Sequence, residues 1–440
     1  MRDFLPDDLR PREHVIQLIS RVYQRYGFEP LETPALENLE TLLGRYGDEG
    51  NRLIFKILKR GEQAATGQAD LALRYDLTVP LARVVAHYRS RLPRLFKRYQ
   101  IQPVWRADRP ARGRFREFYQ CDVDALGSSA PLVEAELCAA ASDVLTELGF
   151  DDFVVRINHR RLLAALLSAA GVPAASHDEV LVSLDKLDKI GPDGVAAELA
   201  GRGIAQSAQA ALLRLFDSHD EPDPLDHDAR LDKLAGLVSG DESGTASVEN
   251  LRAIVELAEA TSASGRLRVD ASLARGLSYY TGAMMEISVP GLAGSVAGGG
   301  RYDDLVGVFL GQNVPACGLS LGLERLLVVM TERNMFPAAI QTTSADVMIS
   351  VLDHPGQAFA LRLAAELRGA GLRVLVYPDV DKLGRQLKYA DSRGIPFVAI
   401  LGGDEIESGT VTVKNLAAQT QRTCGHPVAA AMILEALNRG

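Results

Sequence analysis

The stretch Trp105-Arg-Ala-Asp-Arg-Pro-Ala-Arg-Gly-Arg-Phe-Arg-Glu-Phe-Tyr-Gln-Cys-Asp-Val-Asp124 governs how the rest of the chain is read. Its end, Phe118 to Asp124, alternates with period two, the mark of a strand with one face against apolar packing. Its start places Arg106 and Arg116 on either side of a loop containing Pro110 and Gly113, between two segments that both read as strands. A β-turn-β unit that carries arginines towards one face suits a phosphate-rich ligand, because guanidinium offers fixed bidentate donors to phosphate oxygens. A solvated basic surface is the other reading. The run is strongly basic either way: from Arg89 to Arg116, ten Lys or Arg face one acid, Asp108.

Working outward, Leu71-Ala-Leu-Arg-Tyr-Asp76 alternates in the same manner, so the region from about Leu71 to Asp124 reads as an antiparallel sheet with one solvated or ligand-facing side. Upstream, Val15, Leu18, Ile19, Val22 and Tyr26 recur at helical spacing and Gly27 suits the left-handed cap that ends the helix. Two prolines in Phe28-Glu-Pro-Leu-Glu-Thr-Pro34 predict an extended piece at a sheet edge or an interface. Downstream, Ala130–Leu148 reads as a helix, Phe153–Ile157 as a strand and Asn158 as the cap of a further helix. Residues 171–264 read as an inserted helical module. Strand character returns at Leu267–Val269, and a Gly-dense segment, Gly291–Gly300, precedes an apolar helix over Leu321–Met330. Past a boundary between Asn334 and Ser344, strands at Val347–Leu352, Arg373–Val376 and Phe397–Leu401 alternate with helices, which predicts a small parallel α/β domain.

Composition bounds the alternatives. The 440 residues suit two or three domains, and 47% hydrophobic with 24% charged residues excludes a disordered or disulfide-dense chain. The net charge of −9 argues against a general nucleic-acid coat, although it hides local patches. Four cysteines form no C-x-x-C pair and eight histidines show no ligand spacing, so no zinc and no metal held by protein motifs is expected. No signal-peptide core opens the chain and no apolar run approaches the roughly 20 residues of a membrane span, so the expected location is the cytoplasm.

Three further groups bear on chemistry. Gly318-Leu-Ser-Leu-Gly322 fits the G-x-S-x-G elbow of hydrolases, but the later histidines, His354 and His426, fall in the terminal domain; glycines packing a strand closely on its helix account for it as well. Arg275-Gly-Leu-Ser-Tyr-Tyr-Thr-Gly282 and Ala297-Gly-Gly-Gly-Arg-Tyr-Asp303 let a small ring approach backbone and tyrosines, or else form a hairpin with an aromatic core pair. Glu324 and Arg325 open the apolar helix, where Arg325 is a phosphate ligand or one half of a capping ion pair.

In this order the pieces resemble class II aminoacyl-tRNA synthetases and, in detail, the histidyl-tRNA synthetase family, over nearly the whole chain. Tyr26–Pro34 is similar to the first class II signature, Trp105–Asp108 through Phe115–Glu117 to the second, and Gly318–Arg325 to the third. Leu73-Arg-Tyr-Asp-Leu-Thr78, Arg275–Tyr280 and Gly299–Tyr302 carry the histidyl-type resemblance. It implies an α+β catalytic domain with an antiparallel sheet over 1–170 and 265–335, a helical insertion over 171–264 that leans on the tRNA acceptor arm, and an anticodon-binding α/β domain over 345–440. It implies a homodimer built through the first signature, acting on histidine, ATP with Mg2+ and tRNA-His.

The resemblance also assigns residues. Asp76 holds the amino group of histidine, with Thr78, Gln120, Asp124, Tyr279, Tyr280 and Tyr302 completing the amino-acid pocket. Arg106, Asp108, Arg116 and Arg325 bind ATP, Arg275 is the catalytic arginine at the α-phosphate beside Arg106, and Arg109 and Arg112 approach the tRNA acceptor end. An imidazole needs a donor for one ring nitrogen and an acceptor for the other, which a tyrosine hydroxyl and Asp124 provide. Asp108 stands where glutamate is usual in the second signature and Ser278 where aspartate is common. The rival expectation is a synthetase-like regulator without catalysis, such as the regulatory subunit of ATP phosphoribosyltransferase or a sensor of uncharged tRNA. Such paralogues usually lack the catalytic arginine or the terminal domain.

Overall fold

The computed structural model describes residues 1–184, 187–215, 226–274, 279–337, 340 and 343–438. They fall into two compact units, Met1–Phe336 and Pro337–Gly440.

The first unit is built on β1 (Glu29–Pro30), β2 (Leu36–Asn38), β3 (Lys56–Leu58), β4 (Ala69–Leu73), β5 (Phe96–Trp105), β6 (Glu117–Leu126), β7 (Val154–His159), β8 (Leu267–Val269), β9 (Ala283–Ser288), β10 (Ala297–Arg301) and β11 (Ala316–Gly322). Eight form one sheet in the order β1-β5-β6-β11-β10-β9-β7-β8, and β2, β4 and β3 a separate small one. All neighbours from β5 across to β7 are antiparallel. At the two edges β1 joins β5 and β8 joins β7 in parallel, so the expected antiparallel sheet is mixed. Strands of two and three residues are too short to print an alternation in the sequence. Pro30 sits where a missing N–H is tolerated, on an edge strand.

The sheet has one apolar face. Cys121 and Val123 of β6, Val155 and Ile157 of β7, Met285 and Ile287 of β9 and Leu319 and Leu321 of β11 point into one buried cluster. Helices Pro6–Arg25, Leu132–Glu147, Glu242–Glu259 and Leu323–Glu332 fill its other half with Val15, Ile19, Val22, Leu137, Val144, Leu251, Ile254, Leu326 and Val329. Each such side chain, fully buried, stabilises by about 1.5–3 kcal/mol. The first helix is held at its ends as well: Pro6 occupies the first turn with Asp7 and Asp8, Arg25 the last, and Gly27 follows at φ +75°.

Two expectations change here. The helices of 171–264 divide: His177–Leu184, Leu187–Gly201 and Gln206–Leu215 bury Val180, Val195, Leu199 and Leu212 beside Leu163 and Leu167. Glu242–Glu259 instead packs against Leu132–Glu147, Arg160–Ala169 and β7, within the core of the large sheet. Asn158 does not cap the next helix. It lies within β7 and donates to the carbonyls of Ala271 (3.1 Å) and Leu273 (3.0 Å), while His159 Nδ1 accepts from Arg161 N as the cap.

The second unit contains β12 (Val347–Ile349), β13 (Val374–Val376), β14 (Phe397–Ile400), β15 (Thr410–Asn415) and β16 (Thr420–Gly425), ordered β13-β12-β14-β15-β16. The first three are parallel, as expected, but β15 and β16 add an antiparallel hairpin. The side chains of β16 are largely exposed, which removed the apolar half of its pattern. Val347, Ile349, Leu363, Leu367, Phe397, Val411 and Ile433 form its main core. Among the described residues no helix is long and apolar enough to cross a membrane.

Candidate active site

The period of two that gives the large sheet an apolar face gives it a polar one. On β6, Gln120, Asp122 and Asp124 alternate with Cys121 and Val123, and register then selects their neighbours. Asp124 lies between Arg98 of β5 and Gly318 of β11, Asp122 between Gln100 and Ser320, and Gln120 between Gln102 and Gly322. The row through Ser320 continues across Gly298 and Glu286 to Arg156. Glycine is required at 318, since a Cβ there would overlap Asp124 Oδ1. A cavity of about 760 Å³ stands over this face.

Buried acidic residues line the cavity. Asp76 follows β4, and its Oδ1 accepts from Val79 N (3.1 Å) in the first turn of helix Thr78–His87 and from Tyr46 Oη (3.0 Å). Tyr279 Oη donates to the other oxygen at 3.3 Å, and the Tyr279 ring packs edge-on against Tyr280 and Tyr302, with centroids 5.1 and 6.2 Å apart. Tyr302 Oη donates to Asp124 Oδ1. Arg98, wholly buried, places Nη2 2.9 Å from Asp124 Oδ2 and 3.8 Å from Asp122 Oδ2, and Nη1 donates to Gln100 Oε1 at 3.2 Å. Burial dominates the titration of these acids. Asp76 and Asp124 are pushed up by desolvation against the pull of Arg106 and Arg98 respectively, and Asp122 rises to about 7.

Arginines line the same cavity. Arg106 lies over the Tyr75 ring (4.3 Å) and the Phe118 ring (5.2 Å), and its Nε donates to Tyr75 O at 3.0 Å. Arg325 lines the cavity with Nη1 donating to Ser295 O, and Gly113, at φ +69°, brings the tip of the β5–β6 loop against its side chain. The structure thus separates Arg325 from Glu324, which pairs with Arg12 (2.8 Å) and accepts from Tyr119 N (2.9 Å). Of the other expected residues, Thr78, Asp108 and Tyr280 line the cavity. Arg116 is exposed and donates to Asp108 O at 3.2 Å, outside the lining. Arg109 is exposed and Arg112 pairs with Glu332 and donates to Gly291 O (3.1 Å), so both lie away from the cavity wall. Arg275 and Ser278 lie outside the described residues.

The ten-cation run is not one patch. Lys97 and Arg98 fall on opposite faces of β5, the first bound to Glu136 (2.9 Å) at the surface and the second inside. Ser320 is a strand residue whose Oγ accepts from Gln120 Nε2 (2.9 Å), with no histidine among the described lining residues, so the hydrolase pattern is a close-packed strand. Sequence reasoning missed Arg98, Tyr46 and the set around Arg156, whose guanidinium meets Asp270 (2.6 Å), Ser272 (3.1 Å) and Glu286 (3.4 Å). The period of two puts Lys97 and Arg98 on opposite faces, but only the pairing register, invisible to a single strand's pattern, sets Arg98 beside Asp124.

Residues 1–326 match the family profile described as histidyl-tRNA synthetase, and residues 346–435 match an anticodon-binding domain. The chain belongs to the histidyl-tRNA synthetase family. A histidine–tRNA ligase of Flavobacterium johnsoniae is 40% identical over 453 residues, covering 94% of each chain, and one of Cytophaga hutchinsonii is 42% identical over 435 residues with the same coverage. The crystal structure of histidyl-tRNA synthetase from a Nostoc species superposes with a TM-score of 0.82 at 30% identity, over 99% of this chain and 97% of that one. A Bacillus halodurans structure titled as an ATP phosphoribosyltransferase regulatory subunit/histidyl-tRNA synthetase shares the family's fold at 21% identity, with a TM-score of 0.71, over 89% of this chain and 94% of that one.

Proposed function

We propose that the chain is a histidine–tRNA ligase that works in two steps. The carboxylate of histidine attacks the α-phosphorus of ATP, which arrives as its magnesium complex. A P–O bond forms, the bond to the bridging oxygen of the β-phosphate breaks, and histidyl-adenylate and pyrophosphate result. A hydroxyl of the terminal adenosine of tRNA-His then attacks the acyl carbon and AMP leaves. The observation that supports this reading is one cavity lined both by buried carboxylates and by Arg106 and Arg325.

In this reading Asp76 takes the α-ammonium group, helped by Thr78 and Gln120, while Asp124, with Tyr279, Tyr280 and Tyr302 around it, takes the ring. Arg106 and Arg325 clamp the phosphates, and Asp108 and Arg116 hold the loop that presents Arg106. Attack at phosphorus crowds negative charge onto phosphoryl oxygens, and preorganised guanidinium groups stabilise it without exchanging protons. Arg275 is the cation assigned to the α-phosphate. Arg109 and Arg112, on the exposed loop tip, meet the acceptor end of tRNA-His, with the helices of 171–264 along its arm. Residues 345–440 read the anticodon; ten basic against ten acidic residues there require a local basic face. Two chains pair through the edge segment 26–34, and the enzyme acts in the cytoplasm.

Histidine-dependent exchange of labelled pyrophosphate into ATP, run with each amino acid and without tRNA, tests this. Exchange with histidine alone is expected. Histidine binding without exchange would instead identify a regulator that keeps the fold. Truncation after Pro337 should leave exchange intact and weaken charging of tRNA-His; equal charging would refute the role given to residues 345–440.

A further inference from the structure

Around Asp124 the cavity floor holds buried, unpaired acceptors where a donor was expected. The hydroxyl of Tyr302 is spent on Asp124 Oδ1, and one amide N–H of Gln120 is given to Ser320 Oγ. On these lining residues Gln120 Oε1, Asp122 Oδ1 and Asp124 Oδ2 are buried without a hydrogen-bond donor among the described residues; Asp124 Oδ2 meets Arg98 as an ion pair only.

Asp122 has no part in the roles given so far. It is 2% exposed and shares the cavity face of β6 with Gln120 and Asp124. Its cross-strand neighbour Gln100 does not serve it, because Nε2 donates to Thr33 Oγ1 (2.9 Å) and Gln102 Oε1 (2.6 Å). Ser320, on the other side, supplies one hydrogen bond. The nearest cation, Arg98, is closer to Asp124, so two carboxylates converge on one guanidinium nitrogen and one negative charge is left over. Burial first, then Asp124 and Asp76, raise the proton affinity of Asp122, while Arg98 and Ser320 lower it. A ligand carrying two N–H donors and a positive charge fits that surplus; neutral imidazole has one N–H, and imidazolium has two.

We infer that Asp122 is a specificity-determining residue of the amino-acid site, accepting from one ring N–H while Asp124 accepts from the other, so that histidine is held as its imidazolium. This rests on the proposed activation of histidine. Asp122 then selects for a ring able to take up a proton, because a ring that stays neutral forms no ion pair with it.

The full-length protein is assayed by pyrophosphate exchange as wild type, Asp122→Asn and Asp122→Glu, with histidine and with a triazole analogue whose ring stays neutral near neutral pH. In Asp122→Asn the KM for histidine should rise by about tenfold or more, with kcat and the KM for ATP within about twofold, and Asp122→Glu should recover part of the loss. Wild type should prefer histidine to the triazole by about tenfold, and Asp122→Asn should narrow the ratio because an amide donates to a neutral ring. An unchanged histidine KM in Asp122→Asn, or equal kcat/KM for the two ligands in wild type, overturns the inference. If Asp122→Asn fails to fold, the wild-type ratio decides alone. Absence of exchange with histidine in wild type removes the activation reading itself, and the inference with it.

Discussion

The two ends of the β5–β6 hairpin treat the same residue type in opposite ways. At the sheet, Arg98 is entirely buried and held by Asp124, Asp122 and Gln100. At the loop tip, Arg109 is exposed, and Arg112 pairs with Glu332, both about half exposed. A guanidinium removed from water needs carboxylate partners, so Arg98 fixes the two acids beside it. An exposed pair contributes about 0–1 kcal/mol and yields readily to a polyanion. One hairpin therefore carries a buried, acceptor-rich floor at the sheet and an exposed basic tip at its turn.

Asp124→Ala should test that contrast most severely. It strips Arg98 of its closest carboxylate and Tyr302 of its acceptor, which should cost about 3–5 kcal/mol in urea unfolding and abolish histidine-dependent exchange; wild-type stability would break the claim that the floor is an ion set built on Arg98. Arg106→Ala should lower kcat for exchange by about 10²–10³ with little change in unfolding, since its charge acts as phosphoryl charge develops. An equal loss of stability would recast Arg106 as a structural cation stacked on Tyr75. Gly318→Ala forces a methyl group into Asp124 and should destabilise by about 1–3 kcal/mol, raising the KM for histidine more than that for ATP.

A pH series sharpens the comparison further. Asp122 titrates near 7 when folded, above the value of about 4 for an unfolded aspartate. Its raised folded value means that the folded state holds the proton more tightly, so its stabilising contribution is full below about pH 4 and is lost as pH rises to about 7. The urea midpoint of wild type relative to Asp122→Asn should therefore fall between about pH 4 and pH 7; a constant difference would contradict the raised value. Arg112→Ala should show the smallest effect on unfolding, within about 1 kcal/mol, yet reduce the salt dependence of tRNA binding. An unaltered salt slope would remove Arg112 from the tRNA contact.

Much of this arrangement was legible because strands and helices write their periods into the sequence. The alternation of Phe118–Asp124 and the helical recurrence of Val15, Leu18, Ile19 and Val22 gave β6 and the first helix, and glycine beside tyrosine marked a close-packed ligand face. The parallel edges, the terminal hairpin and the placement of Glu242–Glu259 in the main core were not legible. An edge strand of two residues has no period, and an amphipathic helix does not name the surface that it covers.

By itself, the sequence determined which residue types would meet: alternating carboxylates on one strand, arginines at a turn, and glycines where a side chain would collide. Only the tertiary structure decided which carboxylate meets which guanidinium. It placed Arg98 beneath Asp124 and Asp122 while turning Lys97 outward to Glu136, and it directed the hydroxyl of Tyr302 to Asp124. The physical reason is register: a period of two fixes the face of a side chain, whereas its partner is set by how far neighbouring strands slide, a quantity that belongs to the whole sheet.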